Sequence, residues 1–210
     1  SGLLLLVGVL AALVTDRAPT ARRGRLRAVR ETVTATPAIL VPCAFGFVDR
    51  LTAGFFALVG TLYFRDVFEL SPGETGFVLA LFFAPFALFQ YPFGVLSDRI
   101  GRTVPVLVGS TLYGLAVIGV GLAPTVPLAG GAMVVVGVIG ALMAPATMAL
   151  VTDLAADEQR GVAMAAFNAV GSLGFLAGVL VGGTVADRAG YFAAFLVVGG
   201  LEVVVATLAV

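Results

Sequence analysis

The chain has 210 residues, of which 60% are hydrophobic and 11% charged, with a mean hydropathy of +1.11. Twelve arginines balance twelve acidic residues, and lysine, histidine and tryptophan are absent. A soluble domain is about 25% charged, so this composition excludes a surface that faces water and indicates an all-α polytopic membrane protein.

The opening run Leu3–Val14 is apolar. As a helix it would rise about 20 Å, against a hydrocarbon core of about 30 Å. No basic residue precedes it and an arginine-rich stretch follows, so it does not read as a signal peptide. Residues 1–14 are expected to be the end of a truncated transmembrane helix. Residues 15–37 carry Arg17, Arg22, Arg23, Arg25, Arg27 and Arg30 without an aromatic residue. That segment reads as a connector lying on an anionic lipid surface, with no nucleic-acid partner expected. Six apolar spans follow, at 38–64, 75–97, 104–122, 128–151, 162–184 and 191–210. Each is long enough to cross a bilayer with some tilt. The single Cys43 falls in the first of them and reads as a small buried side chain.

Arginine placement orients the spans. The segments 15–37, 98–103 and 152–161 share one side and hold nine arginines, whereas the opposite loops hold Arg65 and Arg188. The nine-arginine side is expected to be cytoplasmic, which places the connector and the C-terminus there.

Between the second and third spans stands Gly94-Val-Leu-Ser-Asp98-Arg99-Ile-Gly101-Arg102. Glycine allows a tight turn here, and arginine keeps the turn at the membrane surface. The pattern Gly-x-x-x-Asp-Arg-x-Gly recurs at Gly183, Asp187, Arg188 and Gly190, three crossings later and so on the opposite side. A repeat that emerges on opposite sides marks two inverted three-helix units.

The 94–102 loop closely resembles the signature loop of the major facilitator superfamily of secondary transporters. It departs once, with Thr103 where a second basic residue is common. The resemblance implies a six-helix bundle of that type over 38–210, built from two inverted three-helix repeats. It also implies that the chain is the C-terminal half, with a missing N-terminal half as partner. The rival assignment makes 38–210 the N-terminal half. A cytoplasmic gate is further implied, made by Gly94, Asp98, Arg99, Gly101 and Arg102 with Asp153, Glu158 and Arg160. The alternative is a surface cluster that only orients the bundle, since exposed pairs are worth ~0–1 kcal/mol each.

Gly174, Gly178 and Gly182 form a ridge without side chains, suited to close helix packing. The stretch resembles the antiporter motif of drug-exporting members, except that Val179 replaces a proline and the motif belongs to the other half. Pro85, Pro92 and Pro145 interrupt apolar spans and can bend them. Gln90, Tyr91, Asn168 and Thr147 are polar positions within spans that can meet a substrate or simply bond a neighbouring helix.

Asp49 and Arg50 lie near the middle of the first span and Glu202 near the middle of the last. An ionisable group at that depth costs on the order of 2.5–3.5 kcal/mol by insertion scales. Helix neighbours point about 100° apart, so Asp49 and Arg50 neutralise each other poorly. Two readings stay open: Asp49, Arg50, Glu202, Gln90 and Asn168 serve substrate or proton coupling, or the charges clamp helices, with Arg50 on Glu202. The reading that follows is a gradient-driven transporter of a small molecule in the plasma membrane. A drug or metabolite exporter is the narrower alternative. A non-transporting sensor or scaffold is the alternative of another class, although no loop is large enough to report binding. An enzyme is not expected, because histidine, a nucleophile elbow and paired acidic motifs are missing. No cofactor or metal is expected either.

Overall fold

The computed structural model describes residues 31–209. The expected helix end over 1–14, and the connector up to residue 30, lie outside the described residues. Among the described residues, six helices are long and apolar enough to cross a membrane. We number them α1 (Pro37–Val67), α2 (Pro72–Ile100), α3 (Thr103–Leu122), α4 (Val126–Leu154), α5 (Arg160–Ala189) and α6 (Tyr191–Leu208). The links are a few residues long, so successive helices run antiparallel and the protein is an integral multi-pass membrane protein.

Several ends lie beyond the apolar runs, because polar residues finish the helices. Ser71 caps α2 in a reciprocal box: its backbone N–H donates to Glu74 Oε2 at 2.9 Å, and its hydroxyl accepts from the Glu74 N–H at 3.4 Å. Pro72 begins the helix, where a missing N–H costs nothing. Both copies of the Gly-x-x-x-Asp-Arg-x-Gly pattern end a helix with the same backbone. Gly101 has φ 89° and ψ 158°, and Gly190 has φ 85° and ψ 166°. An L-residue with a side chain rarely adopts that conformation.

The helices pair as two inverted units. α1 packs on α5 and α2 on α4, while α3 packs on both α4 and α6. Exchanging the first three helices with the last three maps the α1–α5 pair onto α4–α2 and leaves α3–α6 in place. Small residues make the closest crossings. A Cβ at Gly174 or Gly178 of α5 would overlap the α1 carbonyls of Phe47 or Leu51, and Gly114 and Gly199 meet in the same way at the α3–α6 crossing. With backbones this close, dispersion contacts hold the pair where lipid supplies no hydrophobic drive.

Aromatic rings fill the core beside α1. Phe55, Phe64 and Phe195 are fully buried, and Phe55 meets Phe195 edge-on at 4.9 Å between centroids. α1 is not one regular helix. A π-helical turn at Phe56–Gly60 interrupts it, and the Thr61 hydroxyl donates to the Phe56 and Ala57 carbonyls, both at 3.2 Å. α2 is the least covered helix and leaves Phe77, Phe83, Leu88 and Tyr91 exposed. These apolar faces suit lipid or another helical bundle, not water.

Candidate functional site

Three groups of polar residues stand out against the apolar helices. The first lines a cavity of about 300 Å³ formed by α1, α2, α4 and α5. Asp49 and Arg50 enter it from α1, Gln90 from α2 and Thr147 from α4, and Pro145 forms part of its wall. Both charged residues are half-buried. Gly171 on α5 makes room for the arginine stem, since a Cβ there would lie 3.1 Å from Arg50 Cγ. Among the described residues no ion pair or side-chain hydrogen bond reaches Asp49 or Arg50. The cavity therefore presents an acceptor and a fork of donors side by side, each within reach of the other's charge.

A second cavity of about 290 Å³ lies further along α1, against Ala53, Phe56 and Ala57. Its other walls include Phe82, Phe83, Tyr113 and Phe175, so it is aromatic and apolar. Ala57 lies seven positions beyond Arg50 along α1, about 10 Å by helix rise.

Glu202 is elsewhere. It is fully buried among α1, α3 and α6, and it is not part of either cavity lining. Ser110 Oγ donates to Oε2 at 2.6 Å, while Thr52 Oγ1, which also lies 3.2 Å from the Val48 carbonyl of its own helix, approaches Oε1 at 3.4 Å. No ion pair joins Glu202 to Arg50 among the described residues, so the pairing offered by the alternative, clamping reading is not seen there. Asn168 is exposed on α5 and is absent from the charged cavity, although its neighbour Phe167 lines it.

The third group closes the arginine-rich face. Arg102 Nε donates to Asp153 Oδ2 at 3.1 Å, Nη1 donates to Ser97 Oγ at 2.8 Å, and Nη1 also pairs with Asp98. One guanidinium thus ties the end of α2 and the loop to the end of α4. Partial burial pulls the Arg102 pKa down, but the bonds and charges of Asp153 and Asp98 outweigh it and hold the pKa above the ordinary value. Arg160 forms a separate group, pairing with Asp157 at 3.0 Å and donating to the Thr152 carbonyl at 3.2 Å. Arg99 and Glu158 are exposed and make no ion pair among the described residues. Gly94 contributes its carbonyl, which accepts from the buried Ser97 at 3.0 Å.

Sequence reading missed Ser97, Ser110 and Thr52. Nothing local distinguishes them, because a hydroxyl within a span commonly bonds its own helix. The Ser71–Glu74 box carried a readable signal, a serine followed three positions later by glutamate.

Comparison with known proteins bears on the family and the fold. Residues 43–210 match the family model described as Major Facilitator Superfamily. An MFS-type transporter of Methanocaldococcus jannaschii, MJ1560, is 30% identical over 71% of this chain and 40% of its own length. The niacin transporter NiaP of Acinetobacter baylyi is 30% identical over 74% of this chain and 35% of its own. The multidrug efflux pump LfrA of Mycolicibacterium smegmatis is 31% identical over 50% of this chain. The crystal structure of the human organic anion transporter MFSD10 superposes with a TM-score of 0.68 at 24% identity, over 100% of this chain and 46% of that one. The chain spans less than half the length of these relatives. The inverted helix pairing, the signature loop and the family match over 43–210 together show that the chain belongs to the Major Facilitator Superfamily of membrane transporters.

Proposed function

We propose that this chain is the C-terminal six-helix half of a gradient-driven secondary transporter that works by alternating access in the plasma membrane. The arginine-rich face is the cytoplasmic one. The carrying observation is that Asp49 and Arg50 share a polar cavity near the middle of α1 without an ion-pair partner among the described residues. Charges kept at that depth are retained for a ligand or an ion, because lipid exposure is costly. Asp49 carries the coupling proton or cation. Arg50 anchors the substrate, and Gln90 supplies a neutral hydrogen-bonding group. Asn168 has the weaker case, being outside the cavity lining. Arg102, Asp98 and Asp153 act as the cytoplasmic gate, with Arg160 nearby. The missing N-terminal half supplies the other wall.

The adjoining aromatic cavity favours a narrower reading, export of lipophilic compounds. An apolar compartment beside a charged one suits a molecule with a bulky apolar body and one polar group.

The test is transport by the intact protein in proteoliposomes with an imposed pH gradient. Niacin is the first probe, following the similarity to the niacin transporter NiaP. Asp49→Asn is expected to abolish gradient coupling while leaving substrate exchange. Arg50→Lys is expected to weaken binding, because lysine cannot form a bidentate contact. Unchanged coupled transport in Asp49→Asn, together with a lower melting temperature, would make the residue a structural element instead.

A further inference from the structure

The inverted repeat continues one residue past its glycine. Asp98 and Asp187 hold matching places, as do Gly101 and Gly190. The next residues are Arg102 and Tyr191. Arg102 reaches Asp153 in the last turn of α4. The Tyr191 hydroxyl donates to the Asp66 carboxylate in the last turn of α1. α4 and α1 open the two repeat units, so the contacts are equivalent by topology and lie at opposite membrane faces. Their chemistry differs. One is a guanidinium shared by two carboxylates, and the other is a phenol on a single carboxylate.

Tyr191 is fixed from its ring as well. It meets Tyr63 edge-on at 5.7 Å, and Tyr63 is buried with its hydroxyl 3.4 Å from the Val120 carbonyl. Between the Asp49–Arg50 cavity and Asp66 lies the π-helical turn Phe56–Gly60, the interruption where α1 can bend. Ala57 on that turn lines the aromatic cavity. The segment Thr61–Val67 is therefore joined to the cavity through the π-helical turn and held at its far end by Tyr191.

We propose that Asp66 and Tyr191 are positioning residues that form an outer latch, the counterpart of Arg102–Asp153, and that this latch restrains the outer end of α1 above the aromatic cavity. The proposal rests on the alternating-access reading and goes beyond it, since neither residue belongs to the cavity or the cytoplasmic cluster. Phe195 also packs on Tyr63 within this segment, and on Phe55 and Phe56 just before it. The latch therefore biases an equilibrium and does not lock it. Being exposed, the pair shifts that equilibrium by about threefold, the scale of one surface hydrogen bond to a charged group.

The experiment uses the intact transporter in sealed right-side-out vesicles, with Cys43→Ala and a reporter Ala57→Cys. The readout is the rate at which a membrane-impermeant maleimide labels the reporter from outside. It needs no substrate and does not depend on Asp49, so a failure of the coupling proposal leaves it interpretable. Tyr191→Phe and Asp66→Ala are each expected to raise the rate about threefold, and the double variant no further. Tyr191→Arg, which places the inner chemistry on the outer face, is expected to lower the rate below that of the parent. A contact that only holds the fold together would lower the melting temperature in Tyr191→Phe and Asp66→Ala without this ordering of rates. Unchanged labelling in both, or additive effects in the double variant, overturns the latch. If one single variant fails to insert, the other carries the same decision.

Discussion

Ser110 on α3 donates a 2.6 Å hydrogen bond to Glu202 on α6, inside a core where both residues are fully buried. Thr52 of α1 approaches the other carboxyl oxygen at 3.4 Å, so one acidic side chain meets hydroxyls from two further helices. Ser110 is its close donor, and no arginine pairs with it among the described residues.

Glu202→Gln is expected to keep the acceptor for Ser110 and to change stability little. Glu202→Ala removes the acceptor and leaves a cavity, at a cost of about 1–3 kcal/mol for the unsatisfied Ser110 donor alone, since Thr52 keeps the Val48 carbonyl. Thermal unfolding of the purified protein in detergent checks the order. Loss of gradient-coupled flux in Glu202→Gln, at an unchanged melting temperature, would instead place Glu202 on the proton route.

Gly178→Ala tests the α1–α5 crossing. The added Cβ would overlap the Leu51 carbonyl, a backbone atom that cannot turn aside. The helices must separate, with an expected loss of about 1–3 kcal/mol, the usual range for overpacking. Gly183→Ala is the matched control, since the nearest atom to its Cβ is Leu58 Cδ2 at 3.9 Å. Unfolding in mixed detergent should show the first change and not the second.

Arg102→Ala should slow transport while leaving insertion intact, and Asp153→Ala should resemble it. The double variant is expected to be less than additive, because both remove the same tie. The stability change should stay within about 1 kcal/mol, since Asp98 and Asp153 are more than half exposed to solvent. Fully additive transport defects would reduce the cluster to independent surface charges.

Single cysteines report topology once Cys43 is replaced. Thr103→Cys and Gln159→Cys should react with an impermeant reagent only from the cytoplasmic side. Gly73→Cys should react only from outside. Gly73 serves better than Glu74, whose carboxylate closes the cap on Ser71, and a Cβ at Gly73 meets nothing within 4 Å. Labelling of all three from one side would refute the proposed orientation.

Much of the fold was legible in the sequence because a bilayer leaves the backbone few choices. Apolar runs of this length must be helices, short links must return the chain, and a glycine-bounded Asp-Arg loop appearing twice marks the inverted units. Gly101 and Gly190 were legible for a local reason, a backbone conformation that disfavours side chains.

The tertiary structure decided which polar residues meet. Asp49, Arg50 and Glu202 look alike in sequence as charges at mid-span. Only the first two reach a shared cavity, while Glu202 turns to Ser110 and Thr52. One position along a helix rotates a side chain by about 100°, and the crossing angle with the next helix sets what it then faces. In a soluble helix the polar stripe would reveal that rotation. Here lipid-facing and core-facing sides are both apolar, so the sequence carries little signal of it. The π-helical turn in α1 and the choice of Asp153 for Arg102 and Asp66 for Tyr191 belong to the same class. Each depends on how two distant helix ends come together, which sequence spacing alone does not set.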